Sequence, residues 1–136
     1  MKKVFADSLF WTAIVRPDDP YRESALEAAA GLEGAVIVTT EEVLSEFLAA
    51  VARYDRHIRQ AAVRAVEALR VSDQVQVIAQ SHNSFVAGLE RYKRRLDKRY
   101  SLTDCISMNA MEEHGIREVL SNDHHFEQEG FHLLID

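Results

Sequence analysis

Five short apolar runs, several rich in β-branched residues and all separated by longer stretches of helical pattern, constrain this chain most. They are KVFA (3–6), AVIVT (35–39), QVQVIA (74–79), REVLS (117–121) and FHLLI (131–135). Each has strand length and strand composition. Between them the pattern turns helical. SLFWTAIV, YRESALEAAAGL, TTEEVLSEFLAAVARY, RHIRQAAVRAVEALR, residues 80–99 and LTDCISMNAMEEHG read as helices, and DHHFEQEG as a helical turn. TTEEVLSEFLAAVARY carries a threonine cap, acids in its first turn and an apolar stripe of Val43, Leu44, Phe47, Leu48 and Val51. Gly115 is placed to cap the helix that begins near Asp104. Strands that alternate with helices imply a mostly parallel sheet covered on both faces, a three-layer α/β/α sandwich. With 136 residues, one domain spanning 1–136 is expected.

Composition excludes several classes. There is no apolar run long enough to span a bilayer, and Asp7 interrupts the apolar opening that a signal peptide would need. The single cysteine, Cys105, excludes an internal disulfide and a Cys-rich zinc site, and reads as a small buried hydrophobe. A cytoplasmic protein is expected, with no membrane partner. The net charge of −6 argues against general nucleic-acid binding, yet RYKRRLDKRY (91–100) holds six basic residues and one acid. Neither GxGxxG nor GxxxxGK[ST] is present.

Ligands of parallel sheets bind outside the carboxyl ends of the strands. Asp7 directly follows the first strand, and Asp123 follows the fourth. Asp104 opens a helix, and with Ser101 three residues before it forms a capping-box pattern. Each of these acids alone reads as an N-cap. Glu46 does not, because it lies inside its helix. At about 100° per residue it sits roughly 60° from Val43 and 40° from Ala50, on the rim of the buried stripe. Glu42, one turn earlier, points further toward solvent by the same geometry. Carboxylates gathered at one edge repel, and burying even one is costly. A hard dication such as Mg²⁺ or Mn²⁺ resolves the repulsion, and its water ligands and charge suit phosphodiester hydrolysis. Asp104 is thus either a cap or a ligand on local grounds.

VFADSLFWTAIV, VTTEEVLSEFLAAV and YSLTDCISMNAMEEHGIREVLSNDHHFEQEGF together resemble the PIN domain family, and within it the VapC-type toxins and their relatives. The most specific part is the S-x-T-D helix start, then a strand, then an Asp followed by Phe and Gly-Phe. The resemblance covers almost the whole chain. It implies an α/β/α fold and a ribonuclease dependent on Mg²⁺ or Mn²⁺, with Asp7, Glu46, Asp104 and Asp123 as metal-binding and catalytic acids. Ser8 and Thr103 follow as supporting groups. The resemblance also implies a frequent homodimer and, for the toxin branch, a cognate antitoxin.

On that reading Asp104 is a ligand that can also cap its helix. The basic run then becomes a candidate RNA clamp of Arg91, Lys93, Arg94, Arg95, Lys98 and Arg99, with Tyr92 and Tyr100 available for stacking. His124 and His125 invite a zinc reading, but no third ligand has the required spacing, so they read as turn surface. Phe10 and Trp11 read as core or dimer contacts. Two alternatives remain: a housekeeping nuclease with the same metal site, and a non-catalytic module that binds RNA or protein. Phosphotransfer folds fit poorly. The haloacid-dehalogenase pattern needs an Asp where Leu9 stands, and a receiver needs an acidic pair where only Asp7 is found.

Overall fold

The computed structural model describes residues 1–136. In chain order the elements are β1 (Lys3–Ala6), α1 (Ser8–Val15), α2 (Arg22–Ala30), β2 (Val36–Thr40), α3 (Glu41–Val51), α4 (Arg56–Val71), β3 (Val75–Ile78), α5 (His82–Arg94), α6 (Leu102–Glu113), β4 (Glu118–Leu120), α7 (His125–Gln128) and β5 (His132–Leu133). The five strands form one sheet in the order β3-β2-β1-β4-β5, and every pairing is parallel. The expected α/β/α sandwich is therefore present, with a wholly parallel sheet. No helix is long and apolar enough to cross a membrane.

Strand order fixes where a site can form. From β1 the chain runs outward through β2 to β3, then crosses back to β4 on the other side of β1. The carboxyl ends of β1 and β4 are therefore neighbours at a topological switch point, where open parallel sheets bind ligands. The Asp7 N–H donates to the Leu120 carbonyl across that edge at 3.4 Å. The two central strands are completely buried at Val4, Phe5, Ala6, Val119 and Leu120, as continuous apolar runs in parallel sheets require.

The helices obey local chemistry. Thr40 caps α3 by accepting the Val43 N–H at 3.0 Å, and Asp55 caps α4 by accepting the Ile58 N–H at 3.1 Å. At the end of α6, Gly115 takes φ +66°. The Gly115 and Ile116 N–H groups then close on the Glu112 and Met111 carbonyls, which is a Schellman cap. Phe10 and Trp11 pack in the core, and neither stands open as a stacking platform.

One element departs from expectation. The helix drawn from 80 to 99 stops at Arg94, and residues 95–98 form a turn. In the last turn of α5, Arg91 faces inward. It is 5% exposed, its Nε donates to Asn109 at 2.8 Å, its Nη1 to Glu129 at 2.8 Å, and it pairs with Glu112. A guanidinium with this many partners ties α5 to α6 and to the segment after α7. Arg91 is therefore removed from the RNA clamp, because burial and pairing keep it from any phosphate. Gly88, on the same helix, allows close packing: a Cβ there would meet the Ile106 Cγ1 at 2.5 Å. Replacing Arg91 with Met leaves the buried Glu129 short of one partner. The variant should lose about 3 kcal/mol of unfolding free energy, read from urea denaturation. A loss below about 0.5 kcal/mol, the level of an ordinary surface change, would contradict the structural role.

Candidate active site

Asp7 occupies the N-cap position of α1, yet its side chain makes no capping bond. Instead it is buried, at 5% exposure, and its Oδ2 accepts the Ser121 hydroxyl at 2.9 Å. Ser121, the residue just after β4, also accepts the Asp123 N–H at 3.0 Å. One hydroxyl thus fixes both acids at the β1–β4 edge. The sequence reading did not single out Ser121. Its signal was present all along, as a small polar residue closing an apolar strand two positions before the acid.

Glu46 is half-buried on α3, and its Oε1 accepts the Ser8 hydroxyl at 2.5 Å. Ser8 therefore holds the Glu46 carboxylate in place. Glu42 turns away: its Oε2 accepts the Ser84 hydroxyl of α5 at 2.8 Å. That bond separates the two candidates and leaves Glu46 with the other acids. Thr103 is half-buried beside Asp104 and makes no side-chain hydrogen bond.

Asp104 does what the capping box requires. Its N–H donates to the Ser101 hydroxyl at 3.0 Å, and its Oδ2 accepts the Ser101 N–H at 3.1 Å. It also faces the other acids. His125 Nδ1 lies 3.3 Å from that same Oδ2 and 3.3 Å from Asp123 Oδ1. The expectation that both histidines belong to the turn surface therefore holds only for His124, which is exposed and paired with Glu127. His125 was missed because its partners are distant in sequence or belong to its own turn, and ligand spacing along the chain cannot show them.

Burial and mutual repulsion raise the carboxyls of three of the acids. Burial pushes the Asp7 carboxyl up to about 7, aided by the Glu46 charge and, more weakly, by Asp104. Glu46 is also raised, first by burial and then by Asp104 and Asp123, against the Ser8 hydrogen bond. Asp104 is raised by burial and by Asp123, against its Ser101 and His125 contacts. No lysine or arginine forms an ion pair with any of the four acids. Such a donor set, all oxygen but for one imidazole and lacking a resident counter-charge, fits a divalent cation.

A cleft of about 380 Å³ opens beside Asp7 and Asp123, bounded by Ser8, Thr12, Arg16 and Tyr21. Arg16 stands at its wall, where Asp18 and Asp19 pair with its guanidinium at 3.3 Å each. The basic run lies nearby in sequence but is less available than its composition suggests. Arg95 donates to Glu129 at 3.1 Å, and Tyr100 is buried with its hydroxyl donating to Glu129 at 3.0 Å. Tyr100 is therefore withdrawn as a base-stacking group, because it packs inside the domain. Lys93, Arg94, Lys98 and Arg99 are exposed.

The raised carboxyls set a pH dependence. A folded-state pKa of about 7 for Asp7, against 3.8 unpaired, means the folded protein holds this proton more tightly than the unfolded chain does. The stability it brings is full below the unpaired value and is lost as pH rises through about 7. The melting temperature of the metal-free protein should therefore fall between pH 5 and pH 8, and Asp7→Asn should flatten most of that fall. A profile unchanged by Asp7→Asn would mean that Asp7 does not retain the proton.

The PIN domain family profile matches residues 4–131. Comparison with curated protein sequences found no match. Among solved structures, the chain is similar to Mycobacterium tuberculosis VapC20, described as a sarcin-ricin loop cleaving toxin. That likeness has a TM-score of 0.83 and 28% identity, over 94% of this chain and 95% of that one. The fold is also similar to VapBC2 of Rickettsia felis bound to a DNA fragment from its promoter, with 12% identity, TM-score 0.65 and 96% of both chains covered. FitAcB of Neisseria gonorrhoeae gives 14% identity and TM-score 0.64, over 96% of this chain and 95% of that one. With the acids gathered at the sheet edge and the family profile running from β1 almost to the end of the fold, the chain belongs to the PIN domain family, a family of nucleases.

Proposed function

We propose that the chain is an endoribonuclease dependent on Mg²⁺ or Mn²⁺, and that it is the toxin of a toxin–antitoxin pair in the cytoplasm. The observation that carries the activity is the convergence of Asp7, Glu46, Asp104 and Asp123 with no lysine or arginine paired to them. These residues would hold the cation. When bound, it supplies an acidified water and neutralises charge that grows on the phosphate.

The chain's own groups do the positioning. Ser121 and Ser8 fix Asp7 and Glu46, so the carboxylates need little rearrangement when substrate arrives. Arg94 and Arg99 stand exposed without ion pairs to meet backbone phosphates along the strand. Lys93 and Lys98 support them, although each already pairs with a neighbouring acid.

The likeness to VapC20 supports the toxin role. A toxin needs a surface for its inhibitor, and the α3–α4 groove offers one. It has an apolar floor of Leu48, Val51 and Val63, with Arg56, Arg59 and Arg64 around it, in a volume of about 750 Å³. That surface suits an acidic amphipathic segment of an antitoxin. Along α5, Phe85, Leu89 and Tyr92 recur at i, i+4 and i+7 with 50%, 41% and 40% exposure. This stripe suits a homodimer contact.

Purified protein should cleave single-stranded RNA with Mg²⁺ or Mn²⁺ and stop in EDTA. Asp7→Asn and Asp104→Asn should each lower cleavage by about 100-fold or more while remaining folded by circular dichroism. An active Asp104→Asn protein would overturn its assignment. Expression of the toxin alone should arrest growth, with rescue by the adjacent gene, whereas a housekeeping nuclease would cleave without arrest. For assembly, Leu89→Lys should convert a dimer to a monomer in analytical ultracentrifugation, and an unchanged sedimentation coefficient would exclude the α5 stripe.

A further inference from the structure

We propose that His125 is a nitrogen ligand of the cation and makes the site select Mn²⁺ over Mg²⁺. The proposal rests on the metal reading of the four acids given above and adds a ligand that those acids do not imply. Its starting point is position. His125 Nδ1 stands 3.3 Å from Asp104 Oδ2 and 3.3 Å from Asp123 Oδ1, and ligand atoms of the three residues lie within 4.8 Å of one another.

Hydrogen bonding alone accounts poorly for this arrangement. A single Nδ1–H shared between two carboxylate oxygens makes at most a bifurcated bond, and 3.3 Å is at the weak end of the range for an N–H donor. Coordination accounts for it better. Two ligands sharing an edge of an octahedron with bonds of about 2.1 Å lie about 3.0 Å apart, and slightly longer bonds widen that edge. The spacing of 3.3 Å around Nδ1 is thus close to a ligand–ligand edge on both sides.

The ring is also held in place by the protein, as metal-binding imidazoles usually are. The His125 backbone N–H donates to Asp123 Oδ1 at 3.0 Å, which fixes the residue's position in the turn. Tyr100 meets the ring edge-to-face, with centroids 5.4 Å apart at 65°. Burial and the Glu129 carboxylate push the Tyr100 hydroxyl up to about 12, so it stays protonated and donates to Glu129. Glu129 is gripped in turn by Arg91 and Arg95. The buried Arg91–Glu129 pair that removed Arg91 from the RNA clamp, with the more exposed Arg95, thus braces the wall on which His125 rests.

A nitrogen ligand changes the ion the site prefers. Mg²⁺ is a hard ion that favours oxygen donors and keeps its waters. First-row transition ions accept imidazole, and among them Mn²⁺ also suits carboxylates. A set of carboxylates with one imidazole therefore favours Mn²⁺.

The test is calorimetric titration of the whole metal-free protein with MnCl₂ and with MgCl₂, repeated on His125→Ala. Pulsed electron paramagnetic resonance of the Mn²⁺ complex is measured alongside, to detect coupling to a ligand ¹⁴N. His124→Ala is the control, since that ring is exposed and faces Glu127. Wild type should bind Mn²⁺ about tenfold or more tighter than Mg²⁺ and show nitrogen coupling. His125→Ala should lose about tenfold or more in Mn²⁺ affinity, keep its Mg²⁺ affinity within about twofold, and lose the coupling; His124→Ala should do none of these. If Mn²⁺ binds wild type without nitrogen coupling, or His125→Ala weakens both ions equally, His125 is not a ligand, while binding abolished by Asp7→Asn would leave the four-acid reading standing. If neither ion binds wild type at millimolar concentration, both readings fall.

Discussion

Repulsion among carboxylates, held together by a fold that gives them no lysine or arginine, is the constraint on which the rest of this structure depends. The sheet order places the ends of β1 and β4 side by side, and Ser121 couples the acids that follow those strands. α3 and α6 then bring Glu46 and Asp104 to the same edge. Burial is the main reason that Asp7, the most buried member, holds its proton up to about 7, and the Glu46 and Asp104 charges add to that cost. The fold tolerates this cost because the surrounding core is closed by large side chains that are fully buried, among them Phe5, Phe47 and Phe126. Perturbed carboxyls of this kind are characteristic of sites organised for ligands rather than for stability.

Much of the fold was legible in the sequence because its signals are local. β-branched runs, capping residues and glycines at helix ends each report on a few neighbouring residues, and Thr40, Gly115 and the strand runs kept their expected roles. The end of α5 was not legible. Its basic composition continues past Arg94, and only the inward pairing of Arg91 with Glu129 and Glu112 shows that the surface there is partly structural. Composition counts charges, but it cannot tell a charge facing solvent from one neutralised by a partner far along the chain.

The site was read with the same asymmetry. Acids at strand ends can be found from position alone, and helix geometry separated Glu46 from Glu42 in the direction the structure takes. His125 and Ser121 escaped because their meaning lies in contacts with Asp104 and Asp7, which are 21 and 114 residues away. Support around a site is assembled by tertiary packing, and a pattern read along the chain has no access to it.

The capping box at Ser101 and Asp104 has a consequence for how such chains age. Asp104 satisfies helix N–H chemistry whether or not an ion is ever bound, so a descendant that gave up catalysis would still be under pressure to keep a capping side chain there. Asp7 has no such second occupation: its side chain caps nothing, and its charge is costly where it stands. Once hydrolysis ceased to matter, drift would reach position 7 well before position 104. In relatives of this fold, the acid after the first strand is therefore the better diagnostic of a working enzyme, and an aspartate at the start of α6 is weak testimony by itself.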